Sequence, residues 1–410
     1  MNTTAQRYLD PSEAVHAFLD WSTSFAATCE GPLDQAAMAT AVTMLAASVP
    51  LMRGHIEKTG NGFLFSVPDG SVPEVVTGAA SHAACLEAMG TPLDSSRALA
   101  RVTILPGEAV SYVVLVLHHA IADAPNCVAL FALLWENYSA VVGGQARVPA
   151  PREVILPTSA ERLFLASGAA PEWQPAAWQD EAAAVGAELA AAAGVIRLAR
   201  VIPDRIRLDA ETTVLLTRRV REAGLSLHAY VCAAGLLACR AELWPDIGAR
   251  PIRLGCPTDL RGTLPVPVRA TEVTNLSDGI DTEVLLSSED DPIEIARQLG
   301  EGLHKAIDSR QAERTMMDPQ RKRPRAGLPV DHVVSNIGNL PVPVTPPGLC
   351  VTDFHGYQSM TISGATLHVV SLYDGQLSVE LISPDGLLDD DQRQRITDRT
   401  QTLLRGMAAR

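Results

Sequence analysis

The chain has 410 residues, 47% hydrophobic and 20% charged, so it can bury a sizeable core and is not disordered by composition. This length exceeds that of an ordinary single domain and favours two domains or one duplicated unit. The formal net charge of −14 excludes broad nucleic-acid binding as a function, because phosphate contacts require clustered Lys and Arg.

The cysteines and the N-terminal residues allow a prediction of the cellular compartment of the protein. The cysteine number is odd and no pair has CxxC spacing, so neither a disulfide framework nor a zinc site is indicated. Their positions are 29, 85, 127, 232, 239, 256 and 350. The start "MNTTAQRYLDPSE" lacks the apolar core of a signal peptide, and no apolar run reaches the roughly 18–20 residues of a membrane span. We therefore expect a cytoplasmic protein without an integral membrane segment.

A first αβ region is predicted over residues 1–145. Asp10 before Pro11 marks the start of a helix, and the stretch "LDQAAMATAVTMLAASVP" predicts a second helix that ends near Pro50. The segment "GNGFLFSVPDG" is typical of a strand between turns. The strands "LARVTIL" and "SYVVLVLHH", separated by "PGE", predict a hairpin. The helical pattern of "PNCVALFALLWENYSAVVGG" follows.

A change of composition then separates two regions. Residues 143–178 are rich in Pro and Ala with weak periodicity, which predicts a crossing linker with short ordered pieces. We set the bounds of this crossover linker at 146–190. A second αβ region is predicted over 191–410. It begins with the strand-like "GVIRLARVI" and continues with helices that open at Asp209 and Ser226, both good N-cap residues.

The end of the chain carries its strongest hairpin signal. Strands are predicted at "PIRLGCPTDLRG", at "DHVVSNIG" and on both sides of Asp374-Gly375, a dipeptide that favours a two-residue hairpin turn. The last segment, "DDDQRQRITDRTQTLLRGM", begins with acidic residues, which suits the positive end of a helix dipole.

The stretch "YVVLVLHHAIADAPN" places His118 and His119 where a buried strand ends, and Asp123 where a helix begins. From the residues alone, three interpretations stay open. One histidine is a general base, since its ordinary pKa suits proton transfer near neutral pH. Alternatively the three side chains bind a metal, although adjacent histidines on a strand point to opposite faces. In the third interpretation both rings are hydrogen-bonded in the core and Asp123 only caps the helix.

Covalent nucleophilic catalysis is not indicated. The chain has no GxSxG elbow, and "TISGA" around Ser363 is a weak context for a nucleophilic serine. Cys127 falls on the apolar face of a predicted helix, where a thiolate is disfavoured.

The segment "HHAIADA" at 118–124 resembles the HHxxxDG motif of the condensation-domain and chloramphenicol-acetyltransferase-like superfamily. Further segments are similar, in matching order, to the polyketide-associated acyltransferases typified by the phthiocerol/phthiodiolone dimycocerosyl transferases. These are "RYLDPSEAVHAF", "VPLMRGHI", "PTDLRGTL", "NLS" and "VSNIGNLP". The resemblance therefore covers nearly the whole chain.

This resemblance implies an α/β fold of two chloramphenicol-acetyltransferase-like domains, with mixed sheets flanked by helices, a crossover, and an active-site tunnel at their interface. It implies transfer of an acyl group from acyl-CoA or an acyl carrier protein to a hydroxyl of a polyketide, lipid or other natural product. His119 would be the catalytic base, His118 would be structural, and Asp123 would pair with Arg261. No metal or other cofactor is expected beyond the thioester co-substrate, and a monomer is expected.

Three further positions, Ala124, Ser335 and Asn336, are expected near the tunnel. Ala124 replaces the glycine of the motif, and its methyl group would narrow a donor route that relies on close backbone approach. The basic run at 321–325 is either a solvated loop or a contact for an acidic carrier protein or a CoA phosphate. The absence of a DFGWG segment disfavours the plant and fungal alcohol acyltransferases. Two alternatives stay open: an amide-forming condensation enzyme and a non-catalytic tunnel-containing binding protein.

Overall fold

The computed structural model describes residues 5–147, 154–168, 175–192, 204–245, 248–272, 274–287, 290–323, 330–359, 365–384 and 386–410. The predicted strand "GVIRLARVI", the serine at 363 and the end of the basic run lie outside these residues. Among the described helices, none alone is long and apolar enough to cross a membrane, and α7 and α8 (bounds below) meet that criterion only together, bent by 99°.

The N-terminal part alternates short helices with strands. Its strands are β1 Ala5–Tyr8, β2 Ser22–Glu30, β3 His55–Thr59, β4 Gly62–Val67, β5 Glu74–Thr77, β6 Ala100–Leu105 and β7 Val110–His118. Its helices are α1 Pro11–Leu19, α2 Gln35–Ser48, α3 His82–Gly90 and α4 Ala124–Val142. The predicted hairpin is confirmed, since β6 and β7 pair antiparallel with Ala100 opposite Leu117.

The C-terminal part follows two connecting helices, α5 Ala160–Ser167 and α6 Pro175–Ala192. Its strands are β8 Asp204–Leu208, β9 Arg250–Asp259, β10 Ser277–Leu286, β11 His332–Asn339, β12 Cys350–Gln358, β13 Thr366–Tyr373 and β14 Gln376–Ile382. Its helices are α7 Ala210–Glu222, α8 Leu227–Leu243, α9 Pro292–Asp308, α10 Gln311–Met317 and α11 Asp390–Ala409. The predicted turn between β13 and β14 is confirmed, with positive φ at Asp374 (47°) and Gly375 (74°).

Three sheets organise these elements. A three-stranded sheet has the order β1-β4-β3, a five-stranded sheet β12-β2-β7-β6-β5, and a six-stranded sheet β10-β9-β11-β13-β14-β8. Both parallel and antiparallel pairs occur, for example β11 with β13 and β9 with β10. The predicted α/β class with mixed sheets is confirmed, and β7, whose central residues are fully buried, lies in the middle of its sheet.

Strand β12 crosses from the C-terminal part into the N-terminal sheet. It pairs antiparallel with β2, with Gly356 opposite Phe25, and Tyr373 Oη donates to the Val351 carbonyl at 2.8 Å. The predicted division at 145 and 190 assigned all later residues to the C-terminal domain, so it did not include the crossing of β12 into the N-terminal sheet. This crossing places residues of both parts in one sheet and thereby limits independent movement of the two parts.

The linker predicted over 146–190 contains more regular structure than its composition suggests. Helix α6 has 18 residues, and the buried Trp178 donates its indole N–H to the Met317 carbonyl at 3.1 Å. The short ordered pieces were expected over 143–178, which α6 overlaps only in its first residues, and the helix itself was not predicted. Alanine has high helix propensity, but an Ala-rich sequence shows little amphipathic periodicity, so the pattern concealed the helix.

Candidate active site

His118 and His119 are held by their backbone at the end of β7. The His118 N–H donates to the Leu99 carbonyl at 2.9 Å, and the His119 N–H donates to the Trp21 carbonyl at 2.7 Å. Both histidines are therefore fixed between neighbouring chain segments, as expected of groups placed at the end of a central strand.

The His118 side chain is fully buried and has partners on both ring nitrogens. Its Nδ1 accepts from the Ala120 N–H at 3.2 Å, which leaves Nε2–H to donate to Asp20 Oδ1 at 3.1 Å. A ring engaged on both sides has no free nitrogen for substrate, so this geometry fits a structural role.

The His119 side chain points to a different place. Its Nδ1 lies 2.9 Å from the Ala122 carbonyl oxygen and 3.2 Å from Asn275 Nδ2. The carbonyl can only accept, and Asn275 Nδ2 makes its shorter contact to the His119 carbonyl, so we assign the ring proton to Nδ1. Nε2 is then the unprotonated nitrogen, and His119 lines the main cavity described below. Burial lowers the pKa of His119, against the opposing effects of the Ala122 carbonyl and Asp123. The ring is consequently neutral at neutral pH and able to accept a proton.

A second histidine, His16, lies on the face of His119. The ring centroids are 4.3 Å apart with an interplanar angle of 24°. Burial, and next the nearby His119, lowers the pKa of His16 well below its usual value, so both rings are neutral. Sequence reasoning missed His16, although it lies in the quoted segment "RYLDPSEAVHAF", because nothing in its spacing connects it to a residue 103 positions later.

Asp123 is fully buried and joins the two parts of the chain. Its Oδ2 accepts from Arg261 Nη1 at 2.8 Å, and its Oδ1 accepts from Arg261 Nη2 at 3.1 Å, a bidentate pair. The carboxylate also caps α4 by accepting from the Asn126 N–H at 3.0 Å, and accepts from the Leu276 N–H at 2.8 Å. The contact implied by the resemblance is present, and it fixes the turn that follows His119.

Asn275, within the quoted "NLS" segment, holds the same turn from the other side. Its Nδ2 donates to the His119 carbonyl at 2.8 Å, and its Oδ1 accepts from the Ser277 N–H at 3.1 Å. Asn275 is 5% exposed, so the contact is shielded from water. The sequence analysis singled out the segment but assigned Asn275 no contact.

The separate partners of His118, His119 and Asp123 argue against the metal interpretation of this motif. His118 faces Asp20, His119 faces the cavity, and the oxygens of Asp123 are occupied by Arg261 and backbone N–H groups. The three side chains therefore do not converge on one point, as ligands of a single ion must.

The cavity that contains His119, which we call the main cavity because the candidate base lies in it, has a volume of about 270 Å³ and is lined by both parts of the chain. Helix α1 and the following turn contribute apolar groups, including Phe18, Leu19 and Trp21. Strands β9 and β10 contribute Cys256, Ser277 and Asp278. A lining that combines apolar and polar groups suits a substrate with a hydrocarbon portion and a reacting polar group.

The described part of the basic run, residues 321–323, borders this cavity, with Arg321 exposed and Lys322 buried. Arg321, Lys322 and Arg323 all line it, and Lys322 is only 8% exposed, with Nζ 2.5 Å from Asp278 Oδ2. Arg323 pairs with Glu181 at 2.9 Å and also with Glu188. The solvated-loop interpretation is wrong for Lys322.

Ala124, Ser335 and Asn336, the other expected tunnel residues, do not line this cavity among the described residues. Ala124 begins α4 and packs against the N-terminal core. Ser335 is half-buried on β11, and Asn336 lines a second cavity of about 340 Å³. Cys256 and Pro257 of β9 line both cavities, so this strand forms the wall between them.

Comparison with known proteins agrees with this architecture. Residues 198–382 match the family model for the phthiocerol/phthiodiolone dimycocerosyl transferase C-terminus. The phthiocerol/phthiodiolone dimycocerosyl transferase of Mycobacterium leprae (strain TN) is 27% identical over 393 residues, covering 91% of both chains. The protein of the same name from Mycobacterium ulcerans (strain Agy99) is 27% identical over 401 residues, covering 92% of this chain and 91% of its own.

Solved structures show the same fold. Polyketide synthase associated protein 5 from Mycobacterium tuberculosis aligns over 97% of both chains with a TM-score of 0.71 and 24% identity. The first condensation domain of the calcium-dependent antibiotic synthetase aligns over 99% of this chain and 97% of its own, with a TM-score of 0.68 and 16% identity. The chain is therefore similar to the phthiocerol/phthiodiolone dimycocerosyl transferases along most of its length, and it has the fold of the condensation domains.

Proposed function

We propose that this protein is an O-acyltransferase that moves an acyl group from a thioester to the hydroxyl of a polyketide, lipid or other natural product, with His119 as the general base. One observation carries the proposal. Donation of Nδ1–H to the Ala122 carbonyl leaves a neutral imidazole with a free Nε2 in a cavity shared by both parts of the chain. The curated relatives, named as dimycocerosyl transferases, support acyl transfer as the reaction class.

In this mechanism Nε2 of His119 accepts the proton of the acceptor hydroxyl as its oxygen attacks the thioester carbonyl carbon. The tetrahedral intermediate collapses with cleavage of the C–S bond, and the imidazolium returns the proton to the leaving thiolate. The products are an ester and a free thiol, so atoms and charge balance. Proton transfer of this kind contributes about 10²–10⁴-fold, and the remaining acceleration comes from orienting both substrates in the cavity.

In this scheme the residues around His119 hold or shield its imidazole ring. The Ala122 carbonyl fixes the tautomer, and Asn275 and the Asp123–Arg261 pair hold the turn that carries the ring. His16 covers one face of the imidazole and excludes water from it. None of these residues needs to exchange a proton with substrate.

Cationic side chains near the main cavity favour an acyl donor that carries negative charge. Both CoA and carrier-bound phosphopantetheine do. Lys305, Arg314 and Arg321 line a polar cavity of about 310 Å³, and Asp281, Thr315 and Arg321 also line the main cavity. Replacing the exposed Lys305 with Glu is expected to raise the Michaelis constant for the thioester by several-fold while kcat changes little, because Lys305 does not line the cavity that contains His119. Lys58→Glu on β3 is the matched control, and an equal rise in both variants would contradict a local effect.

A product panel tests the reaction class. Purified protein is incubated with acyl-CoA thioesters of several chain lengths and with matched alcohols and amines, and products are identified by mass spectrometry. Ester formation with release of free CoA is the expected result. Amide formation alone would support the condensation-type alternative, and no transfer from CoA or from carrier-bound thioesters would support a non-catalytic binding protein.

A further inference from the structure

A second cluster of reactive side chains lies behind the wall of the main cavity. It consists of His228 and Cys232 on α8 and Cys256 on β9, and one potential ligand atom of each lies within 4.8 Å of the others. Cys232 is fully buried and Cys256 is 3% exposed. None of these groups has a part in the acyl-transfer scheme above.

Local structure brings the three groups together. His228 and Cys232 are four residues apart on α8, so both side chains lie on the same face of the helix. Cys256 comes from β9, where it pairs with Ile280 of β10. The spacing His-x-x-x-Cys is the only trace of this cluster in the sequence, because the third member lies 24 residues later on a different element.

The distances between the potential ligand atoms fit a tetrahedrally coordinated ion. Zinc bonds of about 2.3 Å to sulfur and 2.0–2.1 Å to nitrogen place neighbouring ligand atoms roughly 3.5–3.8 Å apart. His228 Nε2 and Cys232 Sγ are 3.6 Å apart, and the 4.8 Å limit for the whole cluster requires only a small side-chain adjustment. Two thiolates with one imidazole favour a thiophilic cation over Mg²⁺ or Ca²⁺, which prefer oxygen ligands.

The second cavity supplies an entry path and a fourth coordination position. His228 and Cys256 both line it, and His228 is only half-buried. The Nδ2 atom of Asn336, in the same cavity, lies 3.4 Å from His228 Nδ1. Binding of an ion through Nε2 puts the ring proton on Nδ1, so the Asn336 amide must turn away from the ring. We propose that His228, Cys232 and Cys256 form a binding site for a thiophilic divalent cation, best matched by Zn²⁺, with a water or small ligand completing the tetrahedron.

A comparable buried cluster shows why this one is preferred. Cys239, His332 and His368 also lie within 4.8 Å of one another, but all three are buried. There, His332 Nδ1 is 2.5 Å from Thr366 Oγ1, and His332 Nε2 is 2.9 Å from His368 Nδ1. Thr366, which is outside that cluster, contacts both His332 and Cys239. The contact of Cys232 is instead to His228 within its own cluster, and His228 and Cys256 line a cavity.

Cobalt substitution tests the site directly. Reduced, metal-stripped, full-length protein is titrated with Co²⁺, whose thiolate charge-transfer band and strong visible absorption report tetrahedral sulfur coordination. The wild type is expected to develop both signals at one equivalent and to lose them on addition of one equivalent of Zn²⁺. The double variant Cys232→Ser/Cys256→Ser should lose the charge-transfer band, and the exposed Cys350→Ser should retain it.

The serine substitutions at the buried Cys232 and Cys256 could impair folding, which circular dichroism would reveal. In that case the His228→Gln variant tests the site instead. This half-buried position tolerates substitution, and the variant is expected to bind Co²⁺ at least about tenfold more weakly than the wild type. The proposal is overturned if the folded wild type gives no thiolate band, if Cys350→Ser removes it, or if His228→Gln binds as tightly as the wild type.

Discussion

Replacing Arg261 with Gln is expected to lower the free energy of unfolding by about 3–5 kcal/mol, the usual cost of removing one partner from a buried ion pair. Asp123 is fully buried, and Arg261 supplies two of its hydrogen bonds, at 2.8 and 3.1 Å. The N–H groups of Asn126 and Leu276 remain as donors to the carboxylate, so the lower part of the range is expected.

The reverse substitution, Asp123→Asn, should cost less. Asparagine preserves the volume and the helix cap, since Asn and Asp are comparable N-cap residues. Arg261 also keeps Asp259 as a partner at 2.9 Å and the Thr274 carbonyl at 2.9 Å. Because both single variants break the same contact, the double variant should lose less than the sum of the two, by roughly 0.5–3 kcal/mol.

Urea unfolding followed by circular dichroism measures all four proteins. The matched control is Arg219→Gln, which removes a surface pair with Glu222 whose acidic member is 53% exposed, and a change of at most about 1 kcal/mol is expected. Additive losses in the double variant, or a stability of Arg261→Gln equal to that of the control, would refute a coupled buried pair at this position.

Two further predictions concern the base and the crossing strand. As the pH falls, the value of kcat/KM for acyl transfer should decrease with a midpoint below pH 6.5. Burial lowers the pKa of His119, so Nε2 is protonated, and the base lost, only at acidic pH. A midpoint above pH 6.5 in the pH–rate profile would contradict this. Gly356→Ala should destabilise by about 1–3 kcal/mol, since its Cβ would lie 2.7 Å from the Phe25 ring. Gly406→Ala, which meets open space on α11, should cost nothing in the same urea unfolding assay, and equal effects would count against tight packing of β12 on β2.

Local signals predicted the elements that position the histidine turn. The apolar run of β7, the acidic cap at Asp123 and the Asp374-Gly375 turn each depend on neighbours in sequence, so the pattern contains the information. The Asp123–Arg261 contact spans 138 residues and came only from the resemblance. No periodicity could have supplied it.

Long-range packing explains what the sequence did not reveal. Strand β2 is rich in small residues and begins only two residues after α1, so its alternation of apolar and polar residues is weak. Its position between β7 and β12 is determined by segments far along the chain. The stacking of His16 on His119 and the meeting of Cys256 with α8 likewise depend on how distant elements pack. Ala124, expected near the tunnel, begins α4 and packs against the N-terminal core, which the motif did not reveal.

The central claim is that Nε2 of His119 accepts the proton of the acceptor hydroxyl. The most direct measurement is the single-turnover rate of ester formation from a saturating acyl thioester and alcohol, in the wild type and in His119→Ala of verified fold. A loss of about 10²–10⁴-fold in that rate, with binding of the thioester retained, is the expected result. A rate in His119→Ala within a few-fold of the wild type would contradict the account.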